Sequence, residues 1–152
     1  MSRPIKFVAV GDNHGDMADL SSCEALFEFC KDYKPDVKIH LGDCFDFRSL
    51  RRGVNNDAES AQSLKDDITS GMWFLEKFKP SVYLWGNHEA RLDNLIQNSG
   101  SALIRDYCED VKKHINNCAR KSGAKTILSY HAEQGIYRLG PVAFIHGYNH
   151  GN

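Results

Sequence analysis

Short apolar runs, each stopped by a glycine, alternate with longer stretches of helical period up to about residue 122. Ile5–Val10 is rich in β-formers and breaks at Gly11, which predicts a first buried strand. Ser21-Ser22-Cys23-Glu24 has the S-x-x-E form of a helix-capping box, and Cys23, Leu26, Phe27 and Cys30 follow at helical spacing. Pro35 ends that helix, and Val37–Leu41 reads as a second strand stopped by Gly42. Over Asp57–Lys79, Leu64, Ile68, Met72, Leu75 and Phe78 form one stripe, the mark of an amphipathic helix, until Pro80 breaks it. Val82–Trp85 then gives a third strand, stopped by Gly86. A short helix carrying Leu92, Leu95 and Ile96 comes next, with Gly100 as its expected stop. Ser101 caps another, whose apolar face is Ile104, Cys108, Val111, Ile115 and Cys118.

The remainder changes character. Thr126–Ser129, Ile136–Leu139 and Val142–Ile145 read as short strands, the last two joined through the turn dipeptide Gly140-Pro141. Strand–helix alternation argues for an α/β core with right-handed crossovers, and the tail for an added antiparallel element. A length of 152 residues sets the expectation of a single domain, 1–152. A formal charge of −1 argues against a globally basic nucleic-acid binder, and 41% hydrophobic residues against a disordered chain. No run approaches the roughly 18 apolar residues of a spanning helix, and the first residues lack the apolar region of a secretory signal. The five cysteines show no C-x-x-C spacing, which fits reduced thiols and a cytoplasmic location.

The informative feature is the segment at the end of each strand. The first strand ends in Gly11-Asp12-Asn13-His14-Gly15, the second in Gly42-Asp43-Cys44-Phe45-Asp46, the third in Gly86-Asn87-His88-Glu89, and the last in His146-Gly147. Ligands of open α/β sheets bind outside the carboxyl ends of the strands, so these segments are expected to converge. The residue types suit a metal site of mixed oxygen and nitrogen donors. Asp12 and His14, two apart in an extended segment, would face the same side. A carboxylate such as that of Asp43 can bridge two cations roughly 3.5–4 Å apart. Any single Gly-Asp step after a strand is ordinarily just a turn; an ordered series of metal-ligand types at successive strand ends is not.

The series D-x-H, G-D-x-x-D, G-N-H-E and H-G, from Asp12 to Gly147, resembles the calcineurin-like metallophosphoesterase superfamily. The resemblance implies an α/β fold of metallophosphoesterase type, a β-sandwich flanked by helices (α/β/β/α), here with an incomplete second sheet. It implies hydrolysis of phosphate esters by a dinuclear centre with a metal-activated water. Asp12 and His14 would hold the first ion, Asp43 would bridge, and Asn87 and His146 would hold the second. His88 matches the family's catalytic histidine, with Glu89 as its orienting partner, and Asp46 falls beside the ligand set rather than in it. Oxygen-plus-imidazole donors suit two divalent ions, manganese first, with iron or zinc as substitutes.

The family's last motif, G-H-x-H, does not occur, and only five residues follow His146-Gly147. The chain therefore reads as cut short, with the terminal strands of the second sheet missing. His150, in a glycine-bordered tail, reads as a bystander rather than a replacement ligand. Two alternatives to an active hydrolase arise: a catalytically impaired module acting as a binding scaffold, or one completed by a partner chain, for instance a homo-oligomer through an exposed sheet edge. The partner expected is a phosphate-ester substrate, with no membrane and with nucleic acid only as substrate. Arg48, Arg51 and Arg52 could meet an anion but read rather as a solvated loop, and Arg91 could reach phosphate or pair with a surface acid. His40 reads as structural, and His114 and His131 as exposed.

Overall fold

The computed structural model describes residues 3–54 and 57–147. Its first strands and helices are β1 (Phe7–Val10), α1 (Leu20–Tyr33), β2 (Val37–His40), α2 (Ala58–Phe78) and β3 (Val82–Leu84). They are followed by α3 (Ala90–Asn98), α4 (Ala102–Ser122), β4 (Thr126–Leu128), β5 (Tyr137–Leu139) and β6 (Val142–Phe144). The first four strands form one parallel sheet in the order β1-β2-β3-β4, and β5 and β6 pair antiparallel. Every strand predicted from the pattern is present, each shorter by one or two residues.

Alternation along the strands divides the core in two. Val8, Val10, Tyr83, Trp85 and Ile127 pack toward the helices, against Phe74, Leu75 and Phe78 of α2 and Cys108, Val111 and Ile115 of α4. Ile39, Val82 and Leu84 point to the opposite face, where they meet Phe144 of β6 with Tyr137 and Leu139 of β5. A sheet joined sequentially by right-handed crossovers carries its helices on one side, which leaves the other to the hairpin. The layers are therefore helices, parallel sheet and hairpin, an α/β arrangement of metallophosphoesterase type.

Helix ends match the sequence pattern except in two places. α1 begins before Ser21: Asp19 is its cap, accepting from the Ser22 amide at 2.7 Å and the Ser21 hydroxyl at 2.6 Å. A carboxylate satisfies the free amides and complements the helix dipole better than the serine does. α3 stops at Asn98, with Ser99 extended, so Gly100 lies beyond its end. Asp57 and Ser101 cap α2 and α4. Lys34 and Lys79, each before a proline, close α1 and α2 in the left-handed region, their amides donating back to the Cys30 and Leu75 carbonyls.

Candidate metal centre

The loops after β1 and β2 extend the parallel pairing beyond the strands. The amides of Asp12, His14 and Gly15 donate to the carbonyls of Gly42, Asp43 and Cys44 at 3.0, 3.0 and 2.8 Å. Asp12, His14 and Asp43 all adopt positive φ, at 60°, 51° and 53°. The expectation of an extended Asp12–His14 segment is thus corrected: the backbone there is left-handed. Such backbone in three non-glycine residues is costly, and strain of this kind concentrates at functional sites. One ligand atom from each of Asp12, His14 and Asp43 lies within 4.8 Å of the others.

On the other side of Asp43 stand Asn87 and His146. His146 Nε2 is 2.9 Å from Asn87 Oδ1 and 3.4 Å from Asp43 Oδ2, while its Nδ1 lies 2.9 Å from the Leu41 carbonyl. Nδ1 must donate to that carbonyl, so a neutral imidazole turns its Nε2 lone pair toward two more electron-rich oxygens. A cation, an added proton or a turn of the Asn87 amide would each satisfy this convergence. The hydrogen bond to Asp43 accordingly raises the His146 pKa, burial opposing it. Burial works against ionisation of Asp43, but His146, the His88 amide and the facing imidazoles outweigh it and hold the carboxyl low. His14 Nδ1 is buried without a properly formed hydrogen bond, with Asp46 Oδ1 3.2 Å away. Orphaned lone pairs, two carboxylates and two imidazoles fit divalent cations. The donors come from the very strand ends expected to converge.

Glu89 does not partner the His88 ring; that expectation is corrected. Its fully buried carboxylate accepts from the amides of Asp43, Cys44 and Gly86 at 2.9, 2.7 and 2.9 Å and from the Tyr83 hydroxyl at 2.9 Å. It binds the second and third loops together from below. Burial, then the charge of Asp43, pushes its pKa up to about 7, against four donors that favour the ionised form. His88 is oriented instead by the Asp46 carbonyl, 2.6 Å from Nδ1, which also accepts from Arg91 at 2.6 Å. The Asp46 carboxylate sits between the rings of His14 and His88, with Oδ1 3.3 Å from His88 Nδ1, and these three form a second cluster of ligand type.

Several supporting residues are not evident from motif or spacing. Asp67 of α2, buried, accepts from the Asp46 and Phe47 amides at 2.9 and 2.6 Å and fixes the loop after β2. It lies on the face of Leu64 and Gly71, so an acid inside the apolar stripe is the available signal. Asn13 joins the loops from the side, its Nδ2 donating to the Cys44 carbonyl at 3.0 Å and its Oδ1 accepting from His40 at 2.7 Å. His40 is structural, as expected, and His114 and His131 are exposed. Arg48 makes a bidentate pair with Asp16 at 2.8 and 2.6 Å, Arg51 lines the cavity over the site, and Arg52 is exposed. His150 lies outside the described residues.

Close packing of the loops depends on two glycines. A Cβ on Gly86 would fall 2.1 Å from Asp43 Oδ1, and one on Gly42, where φ is 109°, 2.6 Å from the Gly86 amide. Only hydrogen at these positions lets the carboxylate lie against the third loop.

A parallel α/β sheet with clustered carboxylates and imidazoles at its carboxyl edge has the donor set of a metal-binding α/β protein. The family model of the calcineurin-like phosphoesterases matches residues 5–150, and the chain belongs to that family. Its chemistry is metal-dependent hydrolysis of phosphate esters. No curated protein and no solved structure matches the chain. Among the described residues, no helix is long and apolar enough to cross a membrane.

Proposed function

We propose that this chain hydrolyses phosphate esters at a dinuclear centre in which Asp12, His14 and Asp43 hold one divalent ion and Asp43, Asn87 and His146 the other. The observation that carries the proposal is the meeting of Asp43 Oδ2, Asn87 Oδ1 and His146 Nε2 at one point, while His146 Nδ1 is engaged by the Leu41 carbonyl. Manganese suits these oxygen and imidazole donors, with iron or zinc as substitutes. When bound, such ions supply Lewis acidity, lowering the pKa of water toward about 7 and neutralising phosphoryl charge.

The chain's own residues do the rest. Asp43, held ionised, is placed to serve both ions. His88 lines the cavity with its Nδ1 fixed on the Asp46 carbonyl and its Nε2 3.8 Å from Asp43 Oδ2, and that Nε2 serves as the proton donor to the departing oxygen. Positioned donors of this kind contribute about 10²–10⁴ in rate. Glu89 positions the loops and does not touch the substrate. Arg51 and Arg91 add positive charge at the same edge. Five free thiols, including three buried ones, suit a cytoplasmic setting.

The test is turnover of an aryl phosphate monoester and diester with added manganese, beside metal analysis and light scattering. Manganese-dependent turnover abolished by chelation is expected. Absence of both metal and turnover sinks the proposal in favour of a binding scaffold. Turnover confined to an oligomeric fraction shows instead that a second copy completes the site.

A further inference from the structure

We propose that an apolar lobe beside the metal-ligand cluster receives the leaving group and selects esters of uncharged, apolar alcohols and phenols, an inference that rests on the proposed phosphoesterase activity. One cavity of about 560 Å³ runs from Asp12, His14, Asp46 and His88 to a wall made by Val10, Met17, Leu26 and Phe74. The polar end has the groups that handle a phosphoryl group. The rest of the lining comes from β1, α1, α2 and the short turn Gly15–Met17, where Val10, Met17, Cys23, Leu26 and Phe74 offer carbon beside Asp19 and Ser22. Sites for small organic ligands have this composition: apolar walls with a few convergent polar groups.

Met17 adds a second observation. It lines the cavity yet is 67% exposed, on a turn pinned by the amide of Gly15 and the carbonyl of His14. Leu20, 63% exposed, begins the helix beyond that turn. Apolar side chains presented to water beside a polar centre gain by contacting an apolar ligand.

Charge disfavours the alternatives. Among the described residues, Arg51 is the sole arginine or lysine in the cavity wall, whereas Asp12, Asp19 and Asp46 all contribute carboxylates. Asp19 is committed to the α1 cap. A leaving group with further phosphates, such as a nucleic-acid chain or a nucleoside polyphosphate, would meet Asp19 and Asp46 with Arg51 as the one arginine or lysine of the lining, the charge of Asp12 being taken up by the ion it is proposed to hold. A phenol or an aliphatic alcohol meets no such penalty.

The experiment is calorimetric titration of the whole chain with phenylphosphonate and methylphosphonate, neither of which is hydrolysed, with and without manganese. Phenylphosphonate should bind at least about tenfold more tightly, the scale that a few buried carbons command. Met17→Ser should reduce that preference about threefold or more, and Leu103→Ser, on an 80% exposed residue of α4 outside the cavity, should leave it unchanged. A melting curve verifies that both variants fold. Equal affinities overturn the lobe whatever manganese does, as does no binding of either compound while manganese is taken up; no binding together with no manganese uptake overturns the dinuclear centre. A retained preference without manganese uptake overturns the dinuclear centre and leaves the lobe standing.

Discussion

The Glu89 carboxylate lies directly beneath Asp43, accepting the Asp43 backbone amide on Oε2 at 2.9 Å while the same oxygen takes the Gly86 amide. Two buried acids are thereby joined through the backbone, and the one that never meets the cavity sets the position of the one that does. Glu89→Gln preserves size but turns an NH₂ toward one of these pairs of donors. A buried donor left without a partner costs about 1–3 kcal/mol. The variant should melt lower by a corresponding amount and bind manganese more weakly. Unchanged melting and unchanged affinity would contradict the positioning role.

Asp43→Asn leaves the fold's hydrogen bond to the His88 amide possible, since Oδ1 accepts at 2.9 Å in the parent. It removes the charge placed to serve both ions. A ligand at a hundred times its dissociation constant stabilises the folded state by about 2.7 kcal/mol. The manganese-induced rise in melting temperature expected of the parent should disappear in Asp43→Asn, with bound metal falling well below stoichiometric. Full metal-dependent turnover in this variant would falsify the bridging assignment.

Gly86→Ala puts a methyl group 2.1 Å from Asp43 Oδ1 and 2.5 Å from the Asp43 amide. Backbone cannot swing away as a side-chain tip can, so the third loop must lift from the second. Overpacking of this kind costs about 1–3 kcal/mol, and the shift separates Asn87 from Asp43. Reduced stability together with lost manganese uptake is expected. Gly100→Ala, where a Cβ meets nothing and φ is not positive, serves as the comparison and should retain both stability and metal binding.

His40 predicts a pH dependence of stability. Burial holds its pKa down at about 3, from 6.5, with Asp43 opposing the shift. Nδ1 accepts from the Gly42 amide at 3.2 Å, which makes Nε2 the donor to Asn13 and requires a neutral ring. Between pH 6.5 and 3 the unfolded chain binds the extra proton and the folded chain does not. Stability therefore rises with pH through that window and is lost as acid approaches the folded value. The slope from one site has a ceiling of about 1.4 kcal/mol per pH unit. Urea midpoints at about pH 7 and about pH 4.5 should converge more closely in His40→Leu than in the parent; an identical pH response in both sinks the assignment.

The sequence determined which segments are strands and helices, because apolar period and its interruption by glycine and proline are local. It also determined which residues stand at the strand ends, so that the Asp12–His14, Asp43, Asn87 and His146 donors are visible as a set. The backbone carrying them is not: spacing alone suggests that Asp12 and His14 are extended, and positive φ at both is imposed by pairing to the loop after β2. Glu89 shows the same limit. Adjacent to His88 in sequence, it points away from that ring because the turn at Gly86 directs it into the core, where the amides of Asp43 and Cys44 from a distant segment need an acceptor. Asp67 and Asn13 likewise acquire their roles only when α2 and the first loop pack against the second. Partners across a loop–loop interface depend on register and distance, which folding alone fixes; residue types and their period are written in the chain itself.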